Sequence, residues 1–324
     1  MKRPKPSKAI AEPAKKPERL LFFDVIRIVC VALIVYDHGQ LYFLQGLNRF
    51  LFADGNGPFD IYSAGAQGFA VYGMILVSGA VLEYNYRGLE RMSEYSSFLF
   101  RRLIRLYPAF WMSLVLGIIL FPAVLQQNIG TVLFEFTGFF VVLGQGPGNI
   151  NIMGWFIAAI VCLYILYPWL SRFIKKYQLW GLAGLCLLSW GARSLVLMYN
   201  LIPLDSFWRW FPIFNAFEFC LGIYLVQSGM YPKKENTYPI IHTLADLSFY
   251  VFILHVVINN DLFGLDMYML SPLISADMAI AMGNQLVVDG LYWLEAMGTI
   301  LIVSYIVMRI DNRFQRWIRS LYPG

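Results

Sequence analysis

Charge is scarce in this chain. Asp, Glu, Lys and Arg make up 14% of its 324 residues, against 59% hydrophobic residues. Soluble domains carry about 25% charged residues. Too few charges remain here for a polar skin, so a water-soluble globule is excluded. Mean hydropathy is +0.59, and lipid is the expected solvent for much of the surface. Cysteine is equally sparse. Cys30, Cys162, Cys186 and Cys220 all sit in apolar stretches with no CxxC pair. Neither a disulfide framework nor a zinc site is implied, and no metal is expected. A signal peptide is also missing. Residues 1–19 are rich in Lys, Pro and Ala with no apolar stretch, and the apolar run that follows is too long for a signal core and lacks a small-residue cleavage site. That tail reads as a disordered basic segment. No nucleic-acid partner is expected.

What the chain does have is long apolar runs. A spanning helix needs about 20 apolar residues. Runs of that kind lie at 20–44, 61–84, 98–125, 154–173, 179–200, 207–228, 244–263 and 286–310, and a shorter one lies at 131–143. The expected fold is an all-α, polytopic transmembrane helix bundle, with about eight spanning helices plus one re-entrant or interfacial segment. The membrane domain is expected over 20–310, flanked by the tail 1–19 and a C-terminal tail 311–324. Basic residues orient the runs. Lys2, Arg3, Lys5, Lys8, Lys15, Lys16 and Arg19 precede the first; Arg87, Arg91, Arg101, Arg102 and Arg105 follow the second; Arg309, Arg313, Arg316 and Arg319 close the chain. Both termini are therefore expected in the cytoplasm. On that topology the 131–143 segment cannot cross the membrane an odd number of times. Irregular backbone at membrane depth needs protein or a water-filled cavity around it, so a cavity on the outer side is expected.

Ionisable residues in hydrocarbon are costly and usually mark function. Those within the apolar runs are Arg27, His38, Arg193, Glu218, His255 and Glu295, with Asp24 and Asp37 nearer helix ends. Arg27 and His38 stand almost a whole number of turns apart, on one helix face, about 16 Å apart along the axis. Asp24 is one turn before Arg27 and positioned to pair with it. The functional reading competes with a plainer one, in which Arg27 snorkels to headgroups and His38 packs. Arg193 and Glu218 fall at similar depth on consecutive helices, as a buried structural pair or as catalytic groups. Glu295 carries the same two readings. Arg102 and Arg105 share a face, either as a topological anchor or as a clamp for phosphate oxygens.

Five stretches, in order, resemble the acyltransferase type 3 family of integral membrane acyltransferases. They are FFDVIRIVCVALIVYDH with Arg27 and His38, GFAVYGMILVSGAVL with Ser78 and Gly79, FLFRRLIRLYPAFW with Arg102, Arg105, Tyr107 and Pro108, GWFIAAIVCLYILYPWL with Trp155, Tyr164 and Pro168, and LADLSFYVFILHVVI with Ser248, Tyr250 and His255. The resemblance implies transfer of an acyl group, often acetyl, from acyl-CoA to a carbohydrate, glycolipid or cell-envelope acceptor. It implies that Arg27, Arg102 and Arg105 serve the acyl-CoA donor and that His38 is the catalytic base. It also implies a multi-pass protein of a prokaryotic plasma membrane. Two departures stand out. Many members carry a Glu soon after the tryptophan of the fourth stretch, but 156–163 holds no acid here, and only residues 229–243 lie where many relatives have extra helices.

The chemistry sets three requirements. Donor phosphates need cations. A sugar hydroxyl is a poor nucleophile and needs a base of near-neutral pKa, which suits histidine. The thioester oxygen needs a hydrogen-bond donor as charge develops on it, for which Arg193, Tyr72 and Ser78 are candidates. His255 is a further substrate or structural candidate. A transporter or flippase for a glycan or lipid-linked solute is the alternative, using the same charges as a path.

Overall fold

The computed structural model describes residues 19–35, 64–87, 89, 92–126, 128–140, 150–199, 211–232, 238–259 and 285–321. Among the described residues all regular structure is helical and there is no strand. The helices are α1 (21–35), α2 (Ala64–Tyr86), α3 (Met92–Leu120), α4 (Ile129–Glu135), α5 (Gly154–Tyr199), α6 (Pro212–Gln227), α7 (Pro239–Asn259) and α8 (Gln285–Leu321). A 3-10 turn, Pro122–Gln126, joins α3 to α4. Among the described residues, Glu94–Leu120, Gly154–Val196 and Pro239–Ile258 are long and apolar enough to cross a membrane; Pro212–Gln227 is apolar but shorter.

α5 covers the two runs expected at 154–173 and 179–200, and it breaks between them at Gln178, with φ 47° and ψ −127°. The contacts of α6 show how far the chain turns there. Gln227 donates to the Ser171 carbonyl at 3.1 Å, while Glu218 binds Arg193 at 2.9 Å. Glu218 to Gln227 spans about 14 Å of helix axis, whereas Ser171 to Arg193 would span about 33 Å in a straight helix. The second half of α5 therefore folds back beside the first, and α6 packs on both.

Helices associate in lipid through close backbone approach and interhelical hydrogen bonds rather than hydrophobic transfer. α2 and α6 show the first device. A Cβ on Gly79 would collide with the Phe219 carbonyl, and one on Gly222 with the Leu76 carbonyl. The second device ties α2, α5 and α6 together. The buried Glu83 carboxylate accepts from Tyr167 at 2.9 Å, Ser171 at 2.7 Å and Gln227 at 3.0 Å. A further polar knot centres on buried Asn151, which donates to Ser113 at 2.8 Å and the Ile253 carbonyl at 3.0 Å.

The segment expected at 131–143 begins as α4, capped by the Asn128 side chain, which accepts from Gly130 N at 2.8 Å. α4 is 7 residues long, far short of a crossing. Beyond it the chain runs back along α3. Trp111 donates to the Phe136 carbonyl at 2.8 Å and Tyr107 to the Thr137 carbonyl at 2.7 Å. Trp111 and Tyr107 sit about 14 and 20 Å before the C-terminal end of α3. Gly138, at φ +75°, makes the turn in a place where a Cβ would meet Ile157. Buried Glu135 then accepts from Ile150 N at 2.9 Å, pinning the returning strand of chain.

α8 continues without a break through 311–321, past the boundary expected at 310. Asp311 is buried there, accepting from Tyr250 at 2.6 Å and Gln315 at 2.7 Å.

Candidate functional site

The start of α1 meets the end of α2, the early part of α3 and the start of α7 around a pocket of about 290 Å³. Arg19, Asp24, Arg27, Arg105 and Asp246 line it. Leu20, Asp24 and Arg27 reach it together because positions three and four apart share a helix face. Asp24 is the hub. It accepts from Arg19 Nε at 3.2 Å, lies 2.7 Å from His242 Nδ1, and sits 3.8 Å from Arg27 Nη1. Arg19 also binds Asp246 at 2.8 Å. Burial strips water from the Arg19 guanidinium, but the Asp246 and Asp24 carboxylates outweigh this and hold its pKa above the usual arginine value. Asp24 is thus shared among several cations, and its contact with Arg27 is the longest. The Arg27 guanidinium keeps capacity for another anion.

The sequence pairs Arg102 with Arg105, but the fold separates their surroundings. Arg105 is exposed and lines the pocket. Arg102 is buried, with its guanidinium 4.8 Å from the Tyr86 ring centre and 6.0 Å from that of Phe98. Arg102 Nε has no hydrogen-bond partner among the described residues. Arg27 lies within electrostatic range of Arg105 and Tyr164, and Arg102 within range of the same two side chains. The family-type arginines therefore gather from α1 and α3 about Tyr164 of α5.

A second centre lies where α2, α5 and α6 meet. Arg193 and Glu218 form a two-pronged ion pair at 2.9 and 3.1 Å, with both side chains 7% exposed. The Arg193 guanidinium also covers the Tyr72 ring at 4.2 Å and the Trp190 ring at 5.3 Å. Arg193, Glu218 and Tyr72, named separately in the sequence, are one constellation.

The other expected residues stand apart. Ser78 donates to the Met74 carbonyl one turn earlier, at 2.9 Å. His255 is fully buried, with Nδ1 2.7 Å from the Phe252 carbonyl and 3.2 Å from that of Val251. His38 lies outside the described residues. Among the described residues no group of three or more His, Cys, Asp or Glu is arranged to hold a metal ion.

Sequence reasoning missed His242, Asp246 and Glu83. His242 and Asp246 are four apart, so one helix face presents both, but the helix was expected to begin at 244 and His242 fell in a connection. Glu83 stood at the end of its expected run, and its partners lie far away in sequence, so no local pattern marked it.

Comparison with curated proteins and with solved structures finds no match. A family model described as an acyltransferase domain matches residues 20–321, nearly the whole length, and the chain belongs to the acyltransferase type 3 family of integral membrane acyltransferases.

Proposed function

We propose that this acyltransferase takes an acyl group, acetyl being the expected one, from acyl-CoA and places it on a hydroxyl of a carbohydrate, glycolipid or cell-envelope polymer. The observation that carries the reading is the pocket shared by Arg27 and Arg105. CoA is polyanionic, and guanidinium groups bind phosphate oxygens with two donors at once. At about 290 Å³ the pocket suits the phosphates rather than the whole coenzyme. A transporter would have no need of such a site.

In the proposed orientation this end of the bundle is cytoplasmic and the chain crosses the plasma membrane of a prokaryote eight times. The segment after α4 is then re-entrant from the outer side. The thioester end of the donor extends along the Arg27 face of α1 toward His38. His38 takes the proton of the acceptor hydroxyl as its oxygen attacks the thioester carbonyl. The carbon–oxygen bond forms, the carbon–sulfur bond breaks, and the imidazolium returns the proton to the CoA thiolate.

The test is a CoA titration of detergent-solubilised protein, with pantetheine, which lacks the nucleotide phosphates, as control. Arg27→Ala combined with Arg105→Ala should weaken CoA binding strongly and leave pantetheine binding unchanged. Unchanged CoA affinity would return both residues to the role of anchors. His38→Ala should keep CoA affinity and lose about 10²–10⁴-fold in turnover, the range for a general base. Wild-type turnover should rise with pH through the imidazole range, because only the neutral ring accepts a proton.

A further inference from the structure

The face of α1 opposite Arg27 borders a second and larger space. Val25 and Val29 are each about 200° round the helix from Arg27, and with Leu33 they line a cavity of about 880 Å³ closed on other sides by α2 and α6. From Val25 to Leu33 the cavity runs about 12 Å along the helix axis. Its walls are apolar apart from a small polar group at one side, formed by Tyr72, Asn215 and Glu218, with the indoles of Trp155 and Trp190 nearby. Phe69 lines it and is 72% exposed. Val25 and Val29 line it and are exposed too. In a bilayer these side chains face lipid, so the cavity opens sideways to the membrane.

We propose that this cavity holds the hydrocarbon chain of a lipid-anchored acceptor whose head is a neutral, hydroxyl-bearing sugar. The proposal rests on the acyltransferase reading above and narrows its acceptor class. The donor belongs to the other side of α1, where the free guanidinium capacity is, so a second amphiphile is the occupant here. The polar group fits a neutral head. Glu218 is already neutralised by Arg193 at 2.9 Å, which leaves no net cation for a phosphate, while carboxylate, amide and phenol groups match hydroxyls and indole faces match the apolar face of a sugar ring. A chain moving from bilayer to cavity leaves one apolar medium for another and gains little from transfer. The cavity therefore positions the acceptor, and the head supplies the affinity.

Two glycines mark where the space is. A Cβ on Gly73 would meet Cys30 Sγ at 2.5 Å, because α1 and α2 touch there, whereas one on Gly68 meets nothing nearer than the Tyr72 ring at 3.9 Å. Gly68 borders the cavity, so a larger residue there fills it without disturbing the helix contact. Val29→Trp fills it from the α1 side, at a position already facing lipid.

The experiment uses the full chain in phospholipid nanodiscs and a dodecyl glucoside carrying a diazirine in its chain. The expected result is labelling on α1 and α2 at Leu33 and Leu76. Excess plain dodecyl glucoside should suppress it several-fold, and so should Gly68→Leu or Val29→Trp, both with CoA affinity and thermal midpoint retained. Labelling needs no turnover, so it stands or falls separately from the transferase reading. Equal, undisplaced labelling by a diazirine phosphatidylcholine would identify an ordinary bilayer lipid and overturn the proposal. Displacement by a long-chain acyl-CoA but not by the glucoside would make the cavity a donor-chain site and overturn it equally. Unchanged labelling in both filled variants would do the same.

Discussion

Two arginines of this bundle, Arg27 and Arg193, are both placed inside apolar helices, and their carboxylates treat them differently. Glu218 meets Arg193 with both oxygens at 2.9 and 3.1 Å, and aromatic rings cover what remains. Asp24 stands 3.8 Å from Arg27 and gives its closer contacts to His242 and Arg19. The first arginine is consumed by its partner and joins α5 to α6. The second is held in place with its charge still available beside a pocket. Depth in the membrane alone does not separate structural from ligand-binding cations; the stoichiometry of the partners does.

The largest effect expected from this contrast is on stability. Arg193→Ala leaves Glu218 buried without its cation, and breaking a buried pair from one side costs about 3–5 kcal/mol. The thermal midpoint in detergent should fall sharply, and replacing both residues together by Met and Leu should restore most of it. A variant that instead keeps its midpoint and loses turnover would move the pair from scaffold to chemistry.

Arg27→Ala should behave in the opposite way. The midpoint should change little, while CoA affinity should fall by about 1.5–3 kcal/mol, the range for hydrogen bonds to charged groups. Arg27→Lys should restore part of the loss, because a point charge remains and the two-donor geometry does not. Equilibrium binding and melting on the same preparations check both statements.

Backbone contact gives the next prediction. Gly79→Ala puts a methyl group into the Phe219 carbonyl, and overpacking of this kind costs about 1–3 kcal/mol. Gly68→Ala, at an open position, should leave the midpoint unchanged. If both behave alike, the α2–α6 approach is less tight than the glycines indicate.

Ser78→Ala is the smallest. Its hydroxyl is spent on the Met74 carbonyl, so stability should change by less than about 0.5 kcal/mol and turnover should stay at the wild-type rate. A drop in turnover of about 10²-fold would be the signature of an oxyanion donor and would restore Ser78 to that role.

Much of this was legible beforehand, residue by residue. Arg193 and Glu218 were readable as a pair because equal depth on consecutive helices follows from helix rise alone. Arg102 and Arg105 were readable as neighbours on one face, but not as one buried and one exposed, since that depends on Tyr86 of α2 lying over Arg102. His242 was unreadable as a partner of Asp24, because nothing local brings α7 to the start of α1. The larger cavity was unreadable for the same reason: a lipid-facing side chain and a cavity-lining one are both simply apolar in a sequence.

By itself the sequence determined the solvent, the helices and the positions of the intramembrane charges along them. Hydropathy and helical periodicity are local properties, carried by composition and spacing within each run. Only the tertiary structure decided which charges meet, which face of α1 receives anions and which borders the apolar cavity. Those are distances between residues far apart in the chain, such as Asp24 and His242 or Glu83 and Gln227, and they exist only once packing of the helices has set the register.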